Sequence, residues 1–226
     1  MGLSVRYAEI QRRIAGAAQA AGRDPSEITL VAVSKRQPVS LLEELVALGH
    51  RDFGENLIQA WRSRLDVAAL EPVRWHLIGP LQTNKAKYVA RTPPACLHTV
   101  DRPALIDALG ARLAPEAPLD VLLQINVDRE PQKAGCLPED LDGLVDATCE
   151  TPGLRFRGLM AIPRPHPAGA PVAAFEAMRS LLDSVTDRVS GVPELSMGMS
   201  GDFEEAIGHG GTIVRVGTAL FGPRQP

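Results

Sequence analysis

Apolar and polar positions change period several times along the chain. Over residues 5–21 the apolar residues Tyr7, Ile10, Ile14, Ala17 and Ala21 share one helical face, and Gly22-Arg23-Asp24-Pro25 ends that helix. Residues 28–33 (ITLVAV) form a short β-branched run, the pattern of a strand buried on both faces. Ser34-Lys35-Arg36-Gln37-Pro38 closes the strand. Ser40 and Glu43 then have the spacing of a capping box, at the start of a helix that stops at Gly49.

The same unit recurs in architecture, though not in sequence. Further strand candidates begin near Asp52, Arg74, Cys96, Asp120, Arg155, Glu194 and Thr212. Helical stretches lie between most of them. Leu57, Ile58, Trp61 and Leu65 fall on one face, as do Phe175, Met178, Leu182 and Val185. Alternating βα units predict a parallel sheet. Counting the strand at Ile28 there are eight, and eight units in about 200 residues favour a single closed (β/α)8 TIM-type barrel over an open doubly wound sheet. The proline-rich stretch 163–171 falls between a strand and its helix, so it reads as a long βα loop and not as a linker. The expected organisation is one barrel domain over 1–226, with residues 1–24 supplying a helix that packs on it.

Composition narrows the class. Of 226 residues 45% are hydrophobic, and 24 basic side chains face 27 acidic ones for a net charge of −3. Disorder is excluded, and neither nucleic acid nor an anionic membrane surface has an electrostatic footprint. No run approaches the roughly 18 apolar residues of a spanning helix. Arg6, Arg12, Arg13 and Arg23 interrupt any secretory core, which predicts a cytoplasmic protein. Cys96, Cys136 and Cys149 have no CxxC spacing and read as reduced thiols. His50, His76, His98, His166 and His209 form no HxH or HExxH motif, so no metal site is predicted. His166 and His209 read as solvated loop residues, and no GxSxG elbow exists.

In a barrel, function gathers at the C-terminal strand ends. Those ends carry Lys35, Asn56, His76, Asp101, Asn126, Met160, Ser200 and Arg215, all expected to point into one mouth. Lys35 follows the most apolar strand, where desolvation would favour a nucleophilic, uncharged amine. The segment 196–202 (SMGMSGD) enters a helix at which Asp202 and Glu205 look like a capping pair. Residues 214–218 (VRVGT) end the last strand before a short extra helix. Exposed N–H groups at these two places suit a phosphate, a common use of the loops after strands seven and eight.

These residues also carry a family resemblance. LVAVSK ending at Lys35, FGEN over 53–56, WHLIGPLQTNK over 75–85, HTVD over 98–101, QIN over 124–126, KAG over 133–135, RGLM over 157–160, LSMGMSGD over 195–202, and VRVGT over 214–218 with Phe221-Gly222 stand in order. With these motifs the chain resembles the pyridoxal phosphate homeostasis protein family over nearly its whole length. The resemblance implies a barrel like the N-terminal domain of alanine racemase. It implies pyridoxal 5′-phosphate (PLP) held covalently on Lys35 as a Schiff base. Ser200, Gly217 and Thr218 match the family's phosphate-binding positions, Arg215 matches the arginine facing the pyridine nitrogen, Met199 is expected among the cofactor-binding residues, and Asn56 and His76 match positions near the cofactor.

The implied function is a carrier in vitamin B6 homeostasis that turns over no substrate. It would be a monomer whose partners are PLP and, transiently, apo-enzymes that use it. The rivals are a PLP-dependent amino-acid racemase and a cofactor-free Schiff-base lyase of sugar phosphates. Two considerations weigh against the racemase. An arginine at the pyridine nitrogen leaves that nitrogen unprotonated and weakens the ring as an electron sink. Alanine racemase also takes its second acid/base, a tyrosine, from a separate β-domain. Here Tyr7 and Tyr88 fall on predicted helices outside the mouth, and no such domain is expected within 226 residues. The chain departs from the family at Leu57, Gln59 and Ala60 after FGEN, and at Gln37, where many relatives have a second lysine. Gln37 leaves Lys133 as the remaining candidate for a lysine relay in cofactor transfer.

Overall fold

The computed structural model describes residues 2–164 and 169–222. Helix α1 (Leu3–Ala20) leads into strand β1 (Thr29–Val33), and the chain then alternates through α2 (Val39–Ala47), β2 (Asp52–Glu55), α3 (Ile58–Leu65), β3 (Arg74–Leu77), α4 (Ala86–Arg91), β4 (Cys96–Val100) and α5 (Pro103–Gly110). It continues through β5 (Leu119–Ile125), α6 (Leu141–Cys149), β6 (Leu154–Ala161), α7 (Val172–Ser184), β7 (Glu194–Ser196), α8 (Phe203–Gly208), β8 (Ile213–Val216) and α9 (Thr218–Phe221). The strands run in sequence order around a closed parallel barrel, sealed where β1 pairs with β8 in the register Thr29↔Ile213 and Val31↔Arg215. The expected eight-stranded barrel is the fold.

Period-two alternation sorts each strand between two environments. Leu30, Ala32, Phe53, Trp75, Leu77, Leu97, Leu195, Val214 and Val216 belong to the large core between barrel and helices. Val31, Cys96, Leu122, Met160 and Ile213 form a second, smaller cluster. By alternation that cluster lies in the lumen, together with Asp52, His76, His98, Ser196 and Arg215, all of them buried. A barrel lumen is ordinarily filled with branched apolar side chains. Half of this one is polar. Outside, α1 buries Leu3, Ile10, Ile14 and Ala18, and Arg6 Nε donates to Leu220 O at 2.6 Å while Arg23 Nη1 donates to Ile207 O at 3.0 Å. These bonds hold α1 and the turn that follows it against α8 and α9.

Three local expectations are corrected. Pro38 (φ −65°, ψ 150°) is itself the N-cap of α2, so Ser40 is already helical and no capping box with Glu43 forms. On α3 only Ile58 and Trp61 of the four apolar residues turn inward. Leu57 and Leu65 are exposed, and Arg64 takes the buried position because Glu55 on β2 receives its Nε at 2.8 Å. Asp202 does not cap α8 with its side chain; its Oδ1 accepts from Met199 N at 2.6 Å and so closes the preceding turn. The loop between β6 and α7 falls where it was expected, but residues 165–168, His166 among them, lie outside the described residues.

Gly158 sits where β6 shifts register against β5, at φ +144°. A Cβ there would lie 1.9 Å from Glu194 O on β7. Neither the backbone angle nor the strand spacing can accommodate it, so Gly158→Ala should destabilise the fold by about 3 kcal/mol or more. Chemical denaturation measures this directly, and a loss under about 1 kcal/mol would mean that β6 and β7 separate more easily than the ladder implies.

Candidate functional site

Two chain segments nearly 180 residues apart meet at the β1–β8 seam. The first is the turn after β1, where Gln37 N donates to Ser34 O at 2.9 Å and Arg36 takes a left-handed φ of 59°. A non-glycine residue in that region needs outside support. A buried ion pair supplies it. Arg64 Nη2 donates to Ser34 O at 3.2 Å and to Gln37 O at 2.9 Å, straddling Lys35 and Arg36. Glu55 Oε1 accepts from both Arg64 Nε and Ser34 Oγ, each at 2.8 Å. Glu55 is 1% exposed and Arg64 is 8% exposed, so removing either partner would leave a charge buried and unpaired. The turn carrying Lys35 is held by this clamp.

The second segment supplies the facing wall. Gly198 adopts φ +87°, and a Cβ there would lie 2.6 Å from Ala206 Cβ, so the loop from β7 can pass close to α8 only as glycine. Ser200 Oγ accepts from Ala219 N at 3.2 Å, which ties this loop to the start of α9. Arg215 lies in the lumen just below, 4% exposed, with Nη1 donating to Ser196 Oγ at 2.6 Å and Nη2 to Ala161 O at 2.8 Å. Desolvation pulls its guanidinium down to about 10, against a smaller opposing pull from Asp202. It therefore remains a cation at neutral pH.

Between the two segments lies a cavity of about 260 Å³, lined by Val33, Lys35, Gln37, Met199, Ser200, Gly201, Arg215, Gly217, Thr218 and Gly222. An amine, a guanidinium and two hydroxyl groups face it, and no carboxylate is among the lining residues. Among the described residues Arg215 has no ion-pair partner within 4 Å. Such a lining suits a small anionic ligand that also presents a hydrogen-bond acceptor.

Six of the eight candidate cofactor residues thus converge: Lys35, Met199, Ser200, Arg215, Gly217 and Thr218. Asn56 and His76 are not among the lining residues. His76 sits deeper in the lumen, hydrogen-bonded to Asp52 and His98. The other strand-end residues also diverge from a single mouth. Met160 is buried inside the barrel, Asp101 lines a separate cavity with Cys136 and Leu144, and Asn126 bonds to the backbone of Glu130 through Nδ2 at 2.8 Å and Oδ1 at 3.1 Å. Lys133 is paired with Glu130 and donates to Ile162 O at 3.2 Å. Burial raises all three cysteine thiols: Cys96 well above its usual range, Cys136 to about 12, and Cys149 to a lesser degree. None of the three is an activated thiolate. Two functional features escaped the sequence reading, the Glu55–Arg64 clamp and the linked pair His76 and His98. Glu55, His76 and His98 each lie in a family motif, but nothing in the sequence signalled Arg64 or the contacts that join these residues.

The architecture and the motifs agree with known proteins. The family model for the alanine racemase N-terminal domain matches residues 5–225. A pyridoxal phosphate homeostasis protein of Pseudomonas aeruginosa is 48% identical, over 99% of this chain and 96% of its own. The Escherichia coli protein of the same name is 43% identical, over 96% and 95%. Among solved structures, PipY of Synechococcus elongatus with PLP bound superposes with a TM-score of 0.78 at 34% identity, covering 94% of this chain and 100% of that one. The chain belongs to the alanine racemase N-terminal domain family and, within it, to the pyridoxal phosphate homeostasis proteins.

Proposed function

We propose that the cavity at the β1–β8 seam holds PLP covalently but reversibly on Lys35, and that the protein carries and buffers this cofactor without turning over a substrate. The observation that carries the reading is the lining itself: one amine, two hydroxyl groups and one buried guanidinium that has no carboxylate partner among the described residues. Its volume lies below the range of drug-sized ligand pockets, which suits a single ring with short substituents. The PLP-bound relative from Synechococcus supports the choice of ligand, and the names of the closely similar curated proteins support the homeostatic role.

The residues divide the ligand between them. Bound PLP supplies an aldehyde carbon that an amine can attack reversibly, with loss of water, and Lys35 Nζ is the amine at hand. Ser200, Gly217 and Thr218, with the N–H groups beside them, would hold the phosphate, and Met199 would pack beside it. Arg215 would donate to the pyridine nitrogen. A guanidinium in that place keeps the nitrogen unprotonated, so the ring withdraws electrons weakly. Asn56 and His76 are not assigned direct contacts in this reading.

The carrier reading is favoured over an amino-acid racemase by the placement of the tyrosines. Tyr7 packs edge-on against His50, and Tyr88 lies on α4 beneath Arg62, so neither belongs to the cavity. Racemisation needs a second acid/base within hydrogen-bond reach of the substrate carbon. In cellular terms the protein would act in the cytoplasm as a monomer, touching apo-enzymes only in passing.

Two measurements test this. Borohydride reduction of the PLP-loaded protein followed by peptide mapping should place the adduct on Lys35, and Lys35→Ala should lose the visible absorption band. An adduct on another lysine, with the band intact in the variant, overturns the anchor. Incubation of the loaded protein with L-alanine and other L-amino acids should give turnover far below the roughly 1 s⁻¹ of ordinary enzymes. Turnover at that rate, lost in Lys35→Ala, replaces the carrier with an enzyme.

A further inference from the structure

The lumen holds a continuous line of buried polar side chains that crosses the barrel. Arg215 Nη1 donates to Ser196 Oγ at 2.6 Å. Ser196 Oγ lies 3.0 Å from His98 Nδ1, His98 Nε2 lies 2.9 Å from His76 Nδ1, and His76 Nε2 lies 3.1 Å from Asp52 Oδ1. Asp52 Oδ2 accepts in turn from Arg74 on the floor of the barrel. The side chains come from β8, β7, β4, β3 and β2. His98 and Ser196 are wholly buried, and His76 is 7% exposed. His76, His98 and Cys96 bring three potential metal-binding atoms within 4.8 Å, but all four ring nitrogens already have partners in this line. Hydrogen bonding accounts for the cluster.

With both histidines singly protonated, the two ends determine the direction of every hydrogen in between. A guanidinium only donates, and an ionised carboxylate only accepts. Burial opposes ionisation of Asp52, yet hydrogen bonds from His76 and Arg74 outweigh it and hold the carboxyl below its ordinary value. His76 must therefore donate from Nε2. A neutral His76 then accepts at Nδ1, so His98 donates from Nε2 and accepts at Nδ1, and the Ser196 hydroxyl donates to it while accepting from Arg215. Desolvation by its complete burial, with a further contribution from the Arg215 guanidinium, keeps His98 well below its ordinary value and so neutral. Each member has one arrangement that satisfies its neighbours. Tautomers follow from the network in just this way.

We infer that Asp52, His76, His98 and Ser196 are positioning residues for Arg215, a proton-ordered chain anchored at the barrel floor that sets how the guanidinium is presented to the cavity. The inference rests on the PLP reading for what Arg215 faces, but the chain itself is a property of the protein without ligand. It also gives His76 an indirect role: the residue acts on the site through three hydrogen bonds. Chains of this kind polarise one another in a low-dielectric interior, so a change at one end is felt at the other.

The chain makes an unusual demand on Asp52→Asn. The amide oxygen should turn to Arg74, which only donates, and leave the NH₂ group facing His76. The hydrogens between residue 52 and Ser196 must then reverse, and His98, which does not touch residue 52, should change from the Nε2–H to the Nδ1–H tautomer. Long-range ¹H–¹⁵N spectra of the ligand-free protein read both states. In the wild type His76 and His98 should each be neutral with the proton on Nε2. The Nη protons of Arg215 should exchange roughly tenfold faster in Ser196→Ala, and PLP should bind that variant roughly tenfold more weakly.

A wild-type Nδ1–H tautomer at either histidine overturns the inference, as does a His98 unmoved by Asp52→Asn. Should that variant fail to fold, Ser196→Ala decides alone: wild-type exchange at Arg215 there overturns the positioning role. Wild-type protein that shows both tautomers and the exchange effect but binds no PLP supports the chain and defeats the cofactor reading, so the two failures are distinct.

Discussion

A guanidinium buried to 4% exposure, with no carboxylate in ion-pair reach among the described residues, is the constraint around which the site is organised. Taking a charge out of water costs several kcal/mol even after relaxation, and an ion pair is the usual remedy. Arg215 receives two neutral acceptors instead, Ser196 Oγ and Ala161 O. The nearest source of negative charge along its hydrogen-bond line is Asp52, on the far side of the lumen. Arg215 shares the cavity lining with Lys35 and two hydroxyl groups and with no carboxylate, so its guanidinium leaves a positive excess that a bound anion would balance.

Barrel closure is what places the amine beside that excess. Val31 pairs with Arg215 in the β1–β8 ladder, so the turn after β1 and the loops after β7 and β8 must share one wall. The Glu55–Arg64 pair then governs how that turn is made. By bonding to Ser34 O and Gln37 O it maintains the left-handed Arg36 and the position of Lys35 next to it. Each cation at the site thus depends on buried polar residues elsewhere in the barrel: Lys35 on the clamp between β2 and α3, and Arg215 on the chain through β7, β4, β3 and β2. This explains why a protein with an ordinary apolar fraction carries so polar a lumen.

Much of this was legible in the sequence. All eight strands begin within two residues of their expected starts, because each is a short β-branched or apolar run between turn signals. Lys35, Ser200 and Arg215 were expected to meet because strand ends on one barrel face converge, and they do line one cavity, together with Gly217 and Thr218, which the family motif singled out. Three kinds of feature were not legible. Ser40 and Asp202 have capping chemistry, but Pro38 and the Met199 amide claimed the local geometry first. Leu57 and Leu65 match a helical stripe, yet Arg64 took the inward position because its partner lies on another element. The link from His76 to His98 and Ser196 joins three strands by side-chain direction, which no single-chain periodicity encodes.

The most direct test of this account asks whether the cavity's positive excess is there for a phosphorylated ligand. Calorimetric titration of the ligand-free protein with PLP and with pyridoxal, which lacks only the phosphate, measures that contribution alone. Two or more charge-assisted hydrogen bonds of about 1.5–3 kcal/mol each predict that pyridoxal binds at least roughly a hundredfold more weakly. Equal affinities for the two would contradict the account.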